Sequence, residues 1–513
     1  MRALQSALDA DGLIRKMESD LENLIAEAES GVAELSKRRD DRWHPTFHIA
    51  PVAGWMNDPN GLSFFNGRYQ VYFQHHPLSG TPGLMYWGHV SSPDLITWFH
   101  EPIALAPSME EDRDGVFSGS AVVDANNVLH AYYTGHRWRN GIDGKDDSLE
   151  VQMMATSHDG VRFEDKQVII SPPTDMPHFR DPKVWKMGDI WYMILGASSD
   201  KNRGEVWLYT STNMTDWEFH SVLFRDPDPN VFMLECPDLF PLGDKWVLVY
   251  GPMGKTPTGY QSRNGHNAGY VVGNWAPGKT FSPLTPYHPV DWGHNFYAPQ
   301  TFESPDGRRI MFGWMGSFTY VAPYPSEDGW NGQLTLPREL RLNEDMTLTS
   351  SPIGEVNQLR VATHDFGALI VPENTSIVLV EDAGPVEIEV VIDSTRSTSE
   401  RIGLLVHKTP DGSHVFVGYD DLSGRVFLDR RLTGNGDRGC RSAPCSRGEQ
   451  LELRIFVDNG SVEVYANGGQ SVLSSMSFPT SGPRSIEISS ESGEIAIDSL
   501  KIHRVGTIWE PTN

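Results

Sequence analysis

Three acidic residues stand in related settings: Asp58 in Trp55-Met56-Asn57-Asp58-Pro59-Asn60-Gly61, Asp181 in Arg180-Asp181-Pro182, and Glu235 in Glu235-Cys236-Pro237. Two carboxyl groups flanking a bond are the equipment for glycoside hydrolysis. One, ionised, attacks or activates water; the other, protonated, delivers a proton to the leaving oxygen. Like charges crowded at one place are costly unless they are solvated, metal-bound or functional. Aromatic residues lie nearby: Trp55 and Phe179 within a few positions of these segments, and Phe117, Phe296 and Tyr297 beside two similar segments at Gly119 and Ala298. Their rings suit the apolar C–H faces of a sugar, while Arg180 beside Asp181 favours an ionised carboxylate. Two rival chemistries are weaker. Cys236 adjoins a carboxylate, which disfavours a thiolate nucleophile. His75 and His76 are strand neighbours that point to opposite faces, so they do not form a metal pair. Neither a metal nor a cofactor is expected.

What gathers these residues is a repeat. Five segments begin at Asp58, Gly119, Asp181, Cys236 and Ala298, which lie 61, 62, 55 and 62 positions apart. Each has a small or acidic residue, then Pro or Ser, then an apolar stretch. Each is followed by a hairpin-type pair: Asn66-Gly67, Asn126-Asn127, Gly188-Asp189, Gly243-Asp244 and Asp306-Gly307. Strong β-formers come next. Three units add Ser-x-Asp/Asn-x-x-x-aromatic, with Asp94 and Trp98, Asp159 and Phe163, Asn213 and Trp217. Five units of about 60 residues predict a five-bladed β-propeller, whose innermost strands converge on one mouth. The repeat register places Asp58, Asp181 and Glu235 around that mouth, with the small residues Gly119 and Ala298 at the Asp58 position in the other two units.

The rest of the chain frames this unit. Residues 1–43 form an extension with an apolar stripe at Ile14, Met17, Leu21, Leu24, Ala28, Val32 and Leu35, a helix over 1–38 that Gly31 interrupts near its end. The stripe docks on the protein or joins a second copy. The propeller spans 44–350, a linker 351–365, and alternating strands over 366–513 predict a β-sandwich. The sandwich covers apolar propeller surface or mediates subunit contacts, so a homo-oligomer would form through it or through the helix. The fold class is all-β with a short N-terminal α-helix.

Composition excludes several roles. The chain has 513 residues and a formal net charge of −26. Such acidity opposes nucleic acid and anionic membranes. A tenth of the residues are aromatic, which fits neutral, polar-rimmed ligands. Cys236, Cys440 and Cys445 are too few for a disulfide framework, and they follow no zinc pattern. No apolar run reaches 18 residues and the N-terminus lacks an apolar signal core, so the expected location is cytoplasmic.

The seven-residue motif around Asp58, together with Arg180-Asp181-Pro182 and Glu235-Cys236-Pro237 in that order and spacing, resembles glycoside hydrolase family 32, the β-fructosidases. The resemblance covers about residues 44–510 and implies a five-bladed propeller with a C-terminal sandwich. It implies a retaining β-fructofuranosidase acting on sucrose and short fructooligosaccharides. Asp58 is then the nucleophile, Glu235 the acid/base, and Asp181, aided by Arg180, the stabiliser of the transition state. It further implies fructose-binding positions at Asn57 and Gln74 and subsite walls at Trp87, Phe117, Ser118 and Trp314; Tyr297 lies in a family-like stretch. A phosphosucrose hydrolase is the alternative, with Lys255 and Arg263 as its phosphate contacts. A non-catalytic sugar-binding propeller is the third reading.

Overall fold

The computed structural model describes residues 21–139, 148–176, 178–199, 201–318 and 326–510. Five antiparallel sheets follow one another along the chain, each of four or five strands. Their innermost strands are Gly54–Phe65, Gly115–Val123, Phe179–Met187, Met233–Leu242 and Tyr297–Glu303. Each packs on the next, and the fifth packs on the first, so the sheets close into a ring of blades. A clasp completes it: Trp330–Asn331, beyond the second strand of blade five, pairs in parallel with Gly54-Trp55 of blade one.

Two sequence elements of the repeat have visible physical causes. In the Ser-x-Asp/Asn turns, the hydroxyls of Ser92, Ser157 and Ser211 accept the backbone N–H three residues on, at 2.8, 2.9 and 2.9 Å. Asp94, Asp159 and Asn213 accept the next N–H groups, and Leu95, Gly160 and Met214 take left-handed φ values of 69°, 81° and 74°. The chain thus doubles back and packs the aromatic residue that follows, burying Trp98 and Phe163 and half-burying Trp217; Trp98 and Trp217 tie their indole N–H to the turn carbonyls. The hairpin pairs likewise supply the left-handed residues at Asn66, Gly67, Asn127, Gly188, Gly243 and Gly307.

The third element is a β-bulge in every innermost strand. Two residues drop out of the ladder in each blade: Asn57-Asp58, Phe117-Ser118, Asp181-Pro182, Cys236-Pro237 and Ala298-Pro299. Bulges re-aim side chains and end pairing locally. In blades three to five the first bulge residue is left-handed, with φ of 67° at Asp181, 47° at Cys236 and 45° at Ala298. The ladder also corrects the register expected from sequence. Asp58 and Ser118 are the second residues of their bulges, so Ser118, not Gly119, is the blade-two counterpart of Asp58.

Residues 21–36 are helical and run unbroken through Gly31. Ile25 and Ala28 are buried against Tyr86, Ile103 and Ala106 of blade one. Gly31 is there for proximity: a Cβ on it would stand 2.2 Å from Leu78 Cδ2. Ile14 and Met17 of the predicted stripe lie outside the described residues.

The last strand of blade five ends at Pro352, and a 3-10 turn, Gly354–Leu359, leads into the sandwich strand Arg360–Val371. The connection is therefore shorter than the expected 351–365. Two six-stranded sheets then pack face to face around an aliphatic core that includes Ile388, Val406, Leu428, Ile455 and Ile488. Phe456, Tyr465 and Val472 of the sandwich share a core with Phe47, Phe312 and Leu336 of the propeller side. Inside this seam Arg338 meets Asp291 at 2.9 Å and also Glu463, while His48 bridges Asp458 at 2.7 Å and Glu463 at 2.9 Å.

Candidate active site

The bulges turn Asp58 and Asp181 toward the ring axis, and Glu235 precedes the bulge of blade four. All three line one cavity of about 660 Å³, with Asn57, Gln74, Phe117, Ser118, Arg180 and Tyr297. Asp58 accepts hydrogen bonds from Ser118 Oγ at 2.7 Å and Asn57 Nδ2 at 3.0 Å. Asp181 accepts the Cys236 backbone N–H at 2.9 Å, and its own N–H donates to Thr134 Oγ1 at 2.9 Å. Arg180 reaches Glu235 at 2.8 Å and Glu150 at 3.1 Å, and the Tyr297 hydroxyl donates to the other oxygen of Glu235. The Cys236 thiol contacts Asp58 at 3.5 Å and Asp181 at 3.7 Å. Burial and the surrounding carboxylates push that thiol well above its ordinary range, so it is a neutral donor and not a nucleophile.

The electrostatics separate the three acids. Burial pushes the Asp181 carboxyl up to about 8; Arg180 opposes the rise and Glu235 adds to it. Burial also lifts Asp58 above 3.8, against hydrogen bonds from Ser118 and Asn57. Glu235 is buried too, but Arg180 and Tyr297 outweigh that and hold it below 4.5. In this arrangement Asp181 is the carboxyl of the three that holds a proton most readily, and Glu235 the one held most firmly ionised.

Several expected wall residues stand elsewhere. Trp55, Trp87 and Trp314 are fully buried and do not line the cavity. Trp55 acts behind it, donating its indole N–H to Asn57 Oδ1 at 2.7 Å. Trp87 fills the core between blades one and two and holds the Phe117 carbonyl at 3.1 Å. Trp314 packs edge-on against Trp55, and Phe318 covers it at the cavity side. Aromatic bulk between blades wins these rings for packing. Lys255 and Arg263 are also away from the cavity. Lys255 pairs with Asp226 at 3.5 Å, and Arg263 bonds the Gly259 carbonyl at 2.7 Å. Cys440 and Cys445 are free thiols.

Glu150, His136 and His178 line the cavity without having been singled out. Glu150 and His136 are ladder partners in blade two. The available signal was strand polarity: the start of a first strand, the end of a second and the start of a third all reach the same rim.

Fold and site together define a glycoside hydrolase of the carboxylate type, carried on a propeller. Family models for the N-terminal and C-terminal domains of glycosyl hydrolases family 32 match residues 48–352 and 355–504. The chain is 41% identical over 484 residues to a sucrose-6-phosphate hydrolase of Escherichia coli, covering 94% of this chain and 98% of that one. A raffinose invertase of Escherichia coli matches at the same identity and coverage. Among solved structures, a β-fructofuranosidase of Bombyx mori, determined as a mutant in complex with sucrose, superimposes with a TM-score of 0.84 at 32% identity, covering 96% of this chain and all of that one. The chain belongs to glycosyl hydrolase family 32.

Proposed function

We propose that the protein is a retaining β-fructofuranosidase that hydrolyses sucrose and short fructooligosaccharides. The observation that carries this reading is the convergence of Asp58, Asp181 and Glu235 on one cavity, with Arg180 bridged to the last. Asp58 attacks the anomeric carbon of the fructosyl unit, and the bond to the leaving oxygen breaks as Glu235 gives that oxygen a proton. Glu235, now ionised, takes a proton from water; the hydroxide attacks the fructosyl–Asp58 ester and releases fructose, restoring both carboxyls. Asp181 accepts hydrogen bonds from fructose hydroxyls and faces the positive charge that develops on the ring. Hydroxyl donors at Asp181 favour its ionised form, which moves its proton to Glu235, where the first step needs it. Asn57, Gln74, Phe117, Ser118 and Tyr297 position the sugar. We assign the chemistry to residues 44–350 and a covering role to 366–513.

Sucrose is preferred here over sucrose 6-phosphate. Among the described cavity-lining residues Arg180 is the sole Lys or Arg, and two carboxylates already engage it. The names of the two Escherichia coli relatives divide between a phosphorylated sugar and an uncharged one, raffinose, so a direct competition is the test. Turnover of sucrose, raffinose, kestose and sucrose 6-phosphate at equal concentration is expected to favour the uncharged sugars. Strong preference for the phosphorylated one reverses the choice. Asp58→Ala is expected to lose about 10⁴-fold or more in kcat, and full turnover by that variant removes the mechanism. Three free cysteines support action in a reducing compartment such as the cytoplasm. Among the described residues 21–36 the apolar face of the helix packs on blade one, which favours the sandwich as the surface for a homo-oligomer; sedimentation velocity decides whether one forms.

A further inference from the structure

The seam between propeller and sandwich holds a second cavity, of about 280 Å³, that shares no lining residue with the catalytic one. Its walls come from four distant stretches: Asn264-Gly265, His294-Asn295 and Ser317 of the propeller, and Arg430, Asp437, Arg438 and Arg441 of the sandwich. Three guanidinium groups thus face one carboxylate, in a chain whose overall charge is −26.

Arg430 carries the argument. Its side chain is 7% exposed, and its one carboxylate neighbour, Asp437, is at 4.0 Å. Nη1 is satisfied by Asn295 Oδ1 at 2.8 Å and the Met476 carbonyl at 2.9 Å, but the buried Nε–H has no acceptor. A buried cation with an unused donor is expensive unless something answers it. Arg441 is held in place by Asn264 Oδ1 at 2.9 Å and the Arg263 carbonyl at 2.8 Å, and Arg438 is exposed at the rim. Guanidinium forks match the oxygens of a tetrahedral oxyanion. Set against Asp437, the three arginines leave two positive charges, the complement of a phosphate dianion.

We propose that this seam cavity is an anion site that binds a phosphate group, free or as a small phosphate ester. An anion there joins Arg430, Arg438 and Arg441 of the sandwich across the loop at Asn264, two residues from His266, whose ring packs on Tyr297 at 5.1 Å. It is bound independently of the sugar being cleaved.

The test is calorimetric titration and thermal melting of the full chain with inorganic phosphate, with glucose 6-phosphate, and with sodium chloride at matched ionic strength. Saturable phosphate binding is expected, with a melting temperature that climbs with the logarithm of phosphate concentration. The double variant Arg438→Gln/Arg441→Gln, at two partly exposed positions, is expected to bind at least tenfold more weakly while hydrolysing sucrose as before. Tighter binding of glucose 6-phosphate than of phosphate places an ester in the cavity; equal binding places the free ion there. An equal rise with sodium chloride, unchanged affinity in the double variant, or phosphate competing with sucrose overturns the assignment. These readouts do not depend on which sugar is cleaved, so they fail separately from the proposed activity.

Discussion

At the level of single residues, the site works by sharing few protons among many oxygens. With Asp181 raised by burial to about 8 and the Asp58 carboxyl raised by burial as well, kcat/KM is expected to fall on both sides of a bell. The basic limb comes where the Asp181 proton leaves, and the acid limb where Asp58 gains one. A pH–rate profile on sucrose checks this, and activity still flat at pH 9 contradicts it. Tyr297→Phe removes a donor to ionised Glu235, so the Glu235 carboxyl should rise and the profile should change shape, with kcat reduced by roughly 10–100-fold. Cys236→Ala takes a neutral donor from Asp58 and Asp181 together. Its expected signature is an acid limb moved upward, measured against a wild-type profile, with the fold intact by circular dichroism. The acids themselves were legible because a proline stands one or two residues after each of them, at Pro59, Pro182 and Pro237. Glu150 was not, because a lone glutamate at the start of a third strand resembles any surface acid until the blades are closed and it faces Arg180.

Among the elements, the bulge and the Ser-x-Asp/Asn turn show why a repeat can be read in letters while its exact register cannot. The turn depends on side-chain oxygens and so leaves a motif. The bulge depends on two residues leaving the ladder, which many sequences permit, and Pro59 and Pro182 therefore align letters that the strands offset by one. The three tryptophans misplaced by sequence show the same limit: a ring near the mouth in sequence fills the space between blades once those blades exist. The N-terminal helix offers a sharper check. Gly31 is kept by Leu78, a half-exposed side chain, so Gly31→Ala in a Leu78→Ala background should gain about 0.5–1 kcal/mol from helix propensity. In the wild-type background the same change should be neutral or destabilising. Equal effects in the two backgrounds, measured by urea denaturation, would mean that this contact does not govern the position.

For the molecule as a whole, the seam between propeller and sandwich is as consequential as either domain. Burial opposes charge on His48, but hydrogen bonds to Asp458 and Glu463 lift it from 6.5 to about 9. A raised histidine stabilises fully below pH 6.5, and its contribution is lost as pH climbs through about 9. His48→Gln should therefore cost about 3–5 kcal/mol near neutrality and flatten the pH dependence of the melting temperature between those limits. A variant that keeps the wild-type dependence would place its origin in another group. The apolar cover was foreseen from the sequence but this charge cluster was not, because positions 48, 338 and 463 are distant in the chain and carry no shared motif. The clasp at Trp330–Asn331 adds a matter of timing. Asp58 sits on the first strand made, yet that strand gains the neighbour on its inner edge only after residue 331 has been added, and the buried charge at His48 waits for Asp458 and Glu463. A ribosome that has already translated all three acids thus still carries an open ring, and catalytic competence comes near the end of synthesis.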